Sequence, residues 1–261
     1  MSEWSQRELS GGMTVAATPE QAGAAAADVA AAVIAKAIAE RGSARVILAS
    51  APSQEDMLAA LGRDPRIDWT KVRSFHMDEY LGLAPDHPQA FGQWLVDRLP
   101  ADALPGFERI VSTNDPRAEA ERYATLLQQA PIDLTCLGFG VNGHIAFNEP
   151  DDARFDDDVL VRQVELTPTS RVQQVDDAQF PSLDDVPTHA LTLTVPALVS
   201  SAAMVATVLG ERKAPALAMA LTDPVSPRCP ATILRTHPNA SLHVDVAAAS
   251  MLPGAAAPER P

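Results

Sequence analysis

Short apolar runs separated by helix-forming stretches recur along this chain, and that alternation constrains its fold more than any other feature. After Pro19 come helix formers with Val29, Val33, Ile34 and Ile38 at helical spacing, stopped by Gly42 in a position suited to a left-handed cap. Residues 45–50 then read as a short strand buried on both faces, with Ser53 as an N-cap before the next helical stretch. The order repeats as strand 72–75, helix 89–99, strand 109–112, helix 115–129 and strand 132–137. Further strands are expected at 160–166, 190–194 and 204–209, a helix at 211–221, and final strands near Ile233 and Leu242. Such alternation predicts an α/β fold: a single domain built on a mostly parallel, doubly wound, Rossmann-like sheet with helices on both faces. The domain should run over 19–250, after an N-terminal arm (1–18) and before a Pro- and Ala-rich tail (251–261) expected to be disordered.

Composition removes several function classes. Twenty Lys plus Arg stand against 34 Asp plus Glu, a net charge of −14, and no basic patch interrupts this field, so a nucleic-acid partner is not expected. The same field opposes an anionic substrate at long range, so any phosphate site must be local and built from a few donors. Cys136 and Cys229 fall in segments that read as buried, suit free thiols in a reducing compartment, and have no metal-ligand spacing. Asp28, Lys36 and Glu40 break the Ala-rich stretch, so neither a signal peptide nor a membrane span is expected, and a cytoplasmic protein is.

In open parallel sheets ligands sit at the carboxyl ends of the strands, and three such segments stand out. In Phe75-His76-Met77-Asp78-Glu79-Tyr80, two carboxylates follow an apolar run, where Asp78 is either a cap or a general base. The run from Leu137 to Pro150 holds Gly138, Gly140 and Gly143, which permit close backbone approach and expose N–H groups to an oxyanion. It also holds His144 with Glu149 five residues on, an imidazole and a carboxylate suited to proton transfer near neutral pH. The third segment ends in Leu209-Gly210-Glu211-Arg212-Lys213, where a lysine at a helix N-terminus opposes the macrodipole and is either solvated or holds an anion.

Together these segments, with Thr188-His189-Ala190-Leu191-Thr192 and the stretch from Cys229 to His237, resemble the signature segments of glucosamine-6-phosphate deaminases from about Arg45 to Val244. The related 6-phosphogluconolactonases share a Gly-x-Asp-Gly-His motif but lack the Ile-Ala-Phe-Asn-Glu-Pro continuation present here. The resemblance implies that His144 opens the sugar ring, that Glu149 orients it, and that Asp78 moves a proton between C2 and C1 as ammonia leaves. It implies no metal or organic cofactor, and makes Lys213 a phosphate ligand.

Three departures accompany the likeness. Asn142 stands where the family usually has Asp, which removes a carboxylate from the set around His144. Ser50, Ala51, Pro52, Ser53 and Gln54 replace the family's glycine- and threonine-rich phosphate loop. Only Arg171 is at hand where relatives place a second phosphate arginine. The expected catalytic set is therefore Asp78, Asn142, His144 and Glu149. The expected substrate-binding set is Ser50, Ser53, Gln54, Glu79, Gly140, Gly143, Arg171 and Lys213. The Asp-rich stretch 151–158 falls where a small lid would lie, and is read as solvated. The leading expectation is an aldose–ketose isomerising deaminase of an amino sugar phosphate, with a sugar-lactone hydrolase and a non-catalytic sugar-phosphate-binding protein as alternatives. A homo-oligomer is left open.

Overall fold

The apolar runs pair as one parallel sheet in the computed structural model, which describes residues 9–150, 152–176 and 179–252. Its strands are β1 (Met13–Ala16), β2 (Ala44–Leu48), β3 (Val72–His76), β5 (Phe107–Glu108), β6 (Leu134–Leu137), β9 (Ala203–Val208) and β10 (Ala240–Asp245), in the spatial order 1-10-9-6-2-3-5. A second, antiparallel sheet has the order β4 (Asp78–Tyr80), β8 (His189–Leu193), β7 (Val161–Glu165).

Side-chain alternation explains why helices cover both faces. Val46, Leu48, Leu134, Cys136, Ala203 and Val205 point to one side and join a core with α1 (Pro19–Arg41), α2 (Glu55–Leu61) and α3 (Phe91–Val96). Ile47, Leu137, Met204, Ala206 and Val208 point to the other, against α4 (Pro116–Gln128), α6 (Val195–Val199) and α7 (Ala214–Thr222). α1 has the length and apolarity to cross a bilayer, yet it buries Ala22, Ala26, Ala30 and Ile34 on this sheet. Thr18 caps its start by accepting the Gln21 N–H, and Gly42, at φ 81°, ends it as expected.

Several expectations need correction. The stretch 1–18 is not only an arm, because Met13–Ala16 adds β1 to the sheet edge beside β10. Residues 109–112 are not a strand: the Ile110 N–H donates to His76 Nε2 and the Val111 N–H to Glu119 Oε1, so side chains replace the ladder. Ile233 lies in a 3₁₀ helix (Pro230–Thr236), where Pro230 lacks an N–H and Thr232 Oγ1 donates to the Cys229 carbonyl at 2.7 Å. The helix expected from Glu211 begins as a 3₁₀ turn (Glu211–Lys213), and α7 starts one residue before Pro215. α5 (Pro168–Asp176), α6 and β4 went unread in the sequence. Cys136 and Cys229 are free and buried. The proposed tail falls mostly on 253–261, outside the described residues.

Candidate active site

From β2 the chain winds outward one way through β3 and β5, and the other way through β6, β9 and β10. The order therefore reverses between β2 and β6, where a crevice must open at the carboxyl ends of the strands. A cavity of about 750 Å³ lies there. The segments leaving β2, β3, β6 and β9 supply Ser50 and Ser53, Met77 and Asp78, Gly138 to Val141, and Leu209 to Lys213 to its lining. His144 joins them, and Tyr80, Phe91, Trp94, Phe147 and Phe180 form an aromatic wall.

Asp78 sits where the chain passes from β3 in one sheet to β4 in the other, paired opposite Thr192. Strand alternation turns Asp78 and Tyr80 toward the cavity and Glu79 away. Burial, and then the neighbouring Glu79 charge, push the Asp78 carboxyl up to about 8. A carboxyl so poised is an effective base once ionised, because its affinity for a proton is high. Glu79 does not line the cavity: its carboxylate accepts the N–H groups of Tyr80 (3.0 Å), Phe91 (3.0 Å) and Gly92 (2.8 Å), fixing the start of α3. Burial raises Glu79 to about 7, against the pull of those three N–H groups and of Arg109.

The loop after β6 folds back on itself through its glycines. The Gly140 N–H donates to the His144 carbonyl (2.9 Å) and the Gly143 N–H to the Gly140 carbonyl (3.1 Å). Gly143 has φ +83°, and a Cβ there would lie 2.5 Å from Cys229 Sγ, so both the turn and its packing demand glycine. Asn142 Oδ1 accepts the His144 N–H (3.2 Å), and Asn142 Nδ2 donates to Glu149 Oε2 (2.7 Å). His144 Nδ1 lies 3.0 Å from Glu149 Oε1, off the line of a straight hydrogen bond. That contact favours the tautomer protonated at Nδ1, leaving Nε2 as the ring's acceptor. Ser170 Oγ, from α5, also donates to Glu149 Oε1. Burial alone would raise the Glu149 carboxyl, but His144, then Ser170 and Asn142, outweigh it and bring it down to about 2. Glu149 is therefore ionised throughout the physiological range.

The expected residues do not all converge. Asp78, His144, Gly140, Ser50, Ser53 and Lys213 line the cavity. Asn142, Glu149 and Gly143 support it from behind. Gln54 is fully buried beneath the floor, its Nε2 donating to the Leu137 carbonyl (3.1 Å), and does not line the cavity. Arg171 turns outward: its guanidinium donates to the Leu183 (2.5 Å) and Val186 (2.9 Å) carbonyls. Arg212, Gln89, Gln174 and Gln179 also line the cavity and were not anticipated. Among them only Arg212, beside Lys213 in the sequence, carried a signal. Of the Asp-rich stretch, Asp151 lies outside the described residues, and Asp152 is exposed and pairs with Arg162 at 2.9 Å.

The chain resembles known proteins over most of its length. Residues 17–243 match the family described as glucosamine-6-phosphate isomerases/6-phosphogluconolactonase. The glucosamine-6-phosphate deaminase of Exiguobacterium sibiricum is 37% identical over 192 residues, 73% of this chain and 74% of that one. That of Listeria innocua is 34% identical over 211 residues, 78% and 86%. A solved monomeric glucosamine-6-phosphate deaminase superposes with a TM-score of 0.83 at 28% identity, covering 92% of this chain and 99% of that one. The 6-phosphogluconolactonase of Trypanosoma brucei shares the fold at a TM-score of 0.73, with 18% identity over 92% and 98% of the two chains. With residues 17–243 matched and the motif residues gathered at one crevice, this chain belongs to the glucosamine-6-phosphate isomerase/6-phosphogluconolactonase family.

Proposed function

We propose that this enzyme is an aldose–ketose isomerising deaminase acting on an amino sugar phosphate, with glucosamine 6-phosphate the first substrate. Water is consumed, and fructose 6-phosphate and ammonia are released. The observation that carries this reading is the presentation of a high-pKa carboxyl, Asp78, and a carboxylate-backed imidazole, His144, to one cavity.

In this reading His144 Nε2 takes the proton of the anomeric hydroxyl and returns a proton to the ring oxygen, opening the sugar. Glu149 stays anionic and holds the imidazole through that exchange. Ionised Asp78 then removes the C2 proton, made acidic by the adjacent C1 carbonyl, and the same carboxyl delivers it to C1, while the C1 oxygen gains a proton and the amino nitrogen gives one up, leaving a C1 hydroxyl and a C2 imine. The C2 imine so formed adds water and expels ammonia. Lys213, Arg212 and the hydroxyls of Ser50 and Ser53 line the cavity and form the proposed phosphate end. A cytoplasmic location is part of the proposal.

Ammonia release is to be measured from hexosamine 6-phosphates and from the free hexosamines, with 6-phosphogluconolactone hydrolysis alongside. Release from a phosphorylated hexosamine supports the reading. Lactone hydrolysis without ammonia would replace it with the hydrolase, and binding without turnover would replace it with the non-catalytic protein.

A further inference from the structure

Glu149 Oε1 serves two groups at once. It faces His144 Nδ1 at 3.0 Å and receives the hydroxyl of Ser170, while Oε2 receives Asn142 Nδ2 at 2.7 Å. Glu149 and Ser170 are 5% and 4% exposed, so bulk water cannot replace a lost donor at little cost. Asn142 belongs to the catalytic loop itself. Ser170 comes from α5, with its own N–H received by Thr167 Oγ1 at 3.1 Å. One turn along that helix Gln174 lines the cavity, and Gln179 and Phe180 beyond it line the cavity too. The backbone ties this wall together, since the Gln179 N–H donates to the Gln174 carbonyl at 2.9 Å. One segment therefore forms a wall of the substrate cavity at its far end and grips the catalytic carboxylate at its near end.

We propose that Ser170 is a positioning residue for the His144–Glu149 pair, and that through it the seating of α5 against the substrate cavity sets the alignment of the imidazole. The proposal rests on the deaminase reading only for its kinetic test. With Ser170 Oγ in place, the Glu149 carboxylate is held by donors at both oxygens and cannot rotate away from Nδ1. Without it, Oε1 is held by the off-line imidazole contact alone, and the carboxylate turns about the Asn142 bond. The imidazole then samples both tautomers and several orientations, and the acceptor at Nε2 is present only part of the time.

The test compares Ser170→Ala and Ser170→Thr with wild type in the full chain. A second-site readout that needs no turnover accompanies the kinetics: ¹⁵N NMR of labelled histidines, with the His144 signals assigned by their loss in His144→Gln. Ser170→Ala is expected to lower kcat by roughly tenfold or more while KM stays within about threefold, since a misoriented catalytic group costs rate rather than binding. Ser170→Thr keeps the hydroxyl and is expected to restore most of kcat. In the NMR spectrum the single Nδ1-protonated form of His144 is expected to give way to a tautomer mixture in Ser170→Ala and to persist in Ser170→Thr. An unchanged His144 tautomer and an unchanged kcat in Ser170→Ala would overturn the proposal, as would a Thr variant as impaired as the Ala variant. If the wild type releases no ammonia, the deaminase reading fails while the NMR comparison still decides the role of Ser170.

Discussion

Gly140→Ala isolates the contribution of imidazole placement from that of imidazole chemistry. A Cβ at Gly140 would lie 2.1 Å from His144 Cε1 and 2.3 Å from both ring nitrogens. Non-bonded carbons settle at about 3.5–4.0 Å, so the ring must retreat by roughly 1.4 Å or more. Gly140 does not have a left-handed backbone, and the three nearest atoms that an alanine Cβ would meet all belong to the ring. The ring borders the cavity and can swing into it, so the fold survives at a cost of about 1–3 kcal/mol. Catalysis does not survive equally well, because such a swing breaks the 3.0 Å contact with Glu149 and removes Nε2 from its working position. A displacement of about 1 Å can cost 10²-fold, so kcat for ammonia release should fall about 100-fold or more. Steady-state kinetics and a thermal melt on the same preparation measure both effects. In a His144→Ala background the Gly140→Ala change should have no further effect on rate, since the group it displaces is absent. A folded Gly140→Ala enzyme with kcat within about threefold of wild type would refute the reasoning.

Four other substitutions follow from the site. Asp78→Asn should abolish turnover and stabilise the fold. The folded Asp78 keeps its proton up to about pH 8 while the unfolded one releases it near 3.8, so wild-type stability falls across that interval. The gain in Tm should be absent below about pH 4 and grow toward pH 8, and equal melting curves at pH 5 and 8 would contradict it. Glu79→Gln removes the negative neighbour that helps raise Asp78, so the acid limb of the kcat/KM profile should move to lower pH, which a pH–rate series checks. Lys213→Ala should raise KM for the sugar phosphate by about tenfold or more, whereas Arg171→Ala, which loses only carbonyl contacts outside the cavity, should leave KM within about twofold; equal effects on KM would contradict the assignment.

The sequence carried most of the parallel sheet because its inner strands are apolar on both faces, as in Val46-Ile47-Leu48 and the run from Ala203 to Val208. It carried the loop after β6 because glycines, His144 and Glu149 stand close together in it. What it hid depends on long-range partners. β1 has three exposed residues and one half-buried, so no apolar pattern marks it, and only β10 makes it a strand. Residues 109–112 look like a strand until His76 and Glu119 take their N–H groups. Glu79 reads as a ligand because it neighbours Asp78, but strand alternation sends the two carboxylates to opposite sides. Ser170 has no local mark at all, since its role exists only where α5 meets a loop 21 residues earlier.

The pairing of β1 with β10 sets an order of events during synthesis. Among the described strands, the first to leave the ribosome has as its sole partner the last, with Met13 opposite Leu242. At about 5–20 residues per second, the first strand waits roughly 10 to 50 s for its mate. Through that interval Met13 and Val15, 43% and 48% exposed even after folding, belong to an unpaired segment, while α1 gains α2 and β2 to pack against early on. That edge of the sheet, unlike the one at β5, is thus the last part of the sheet to close.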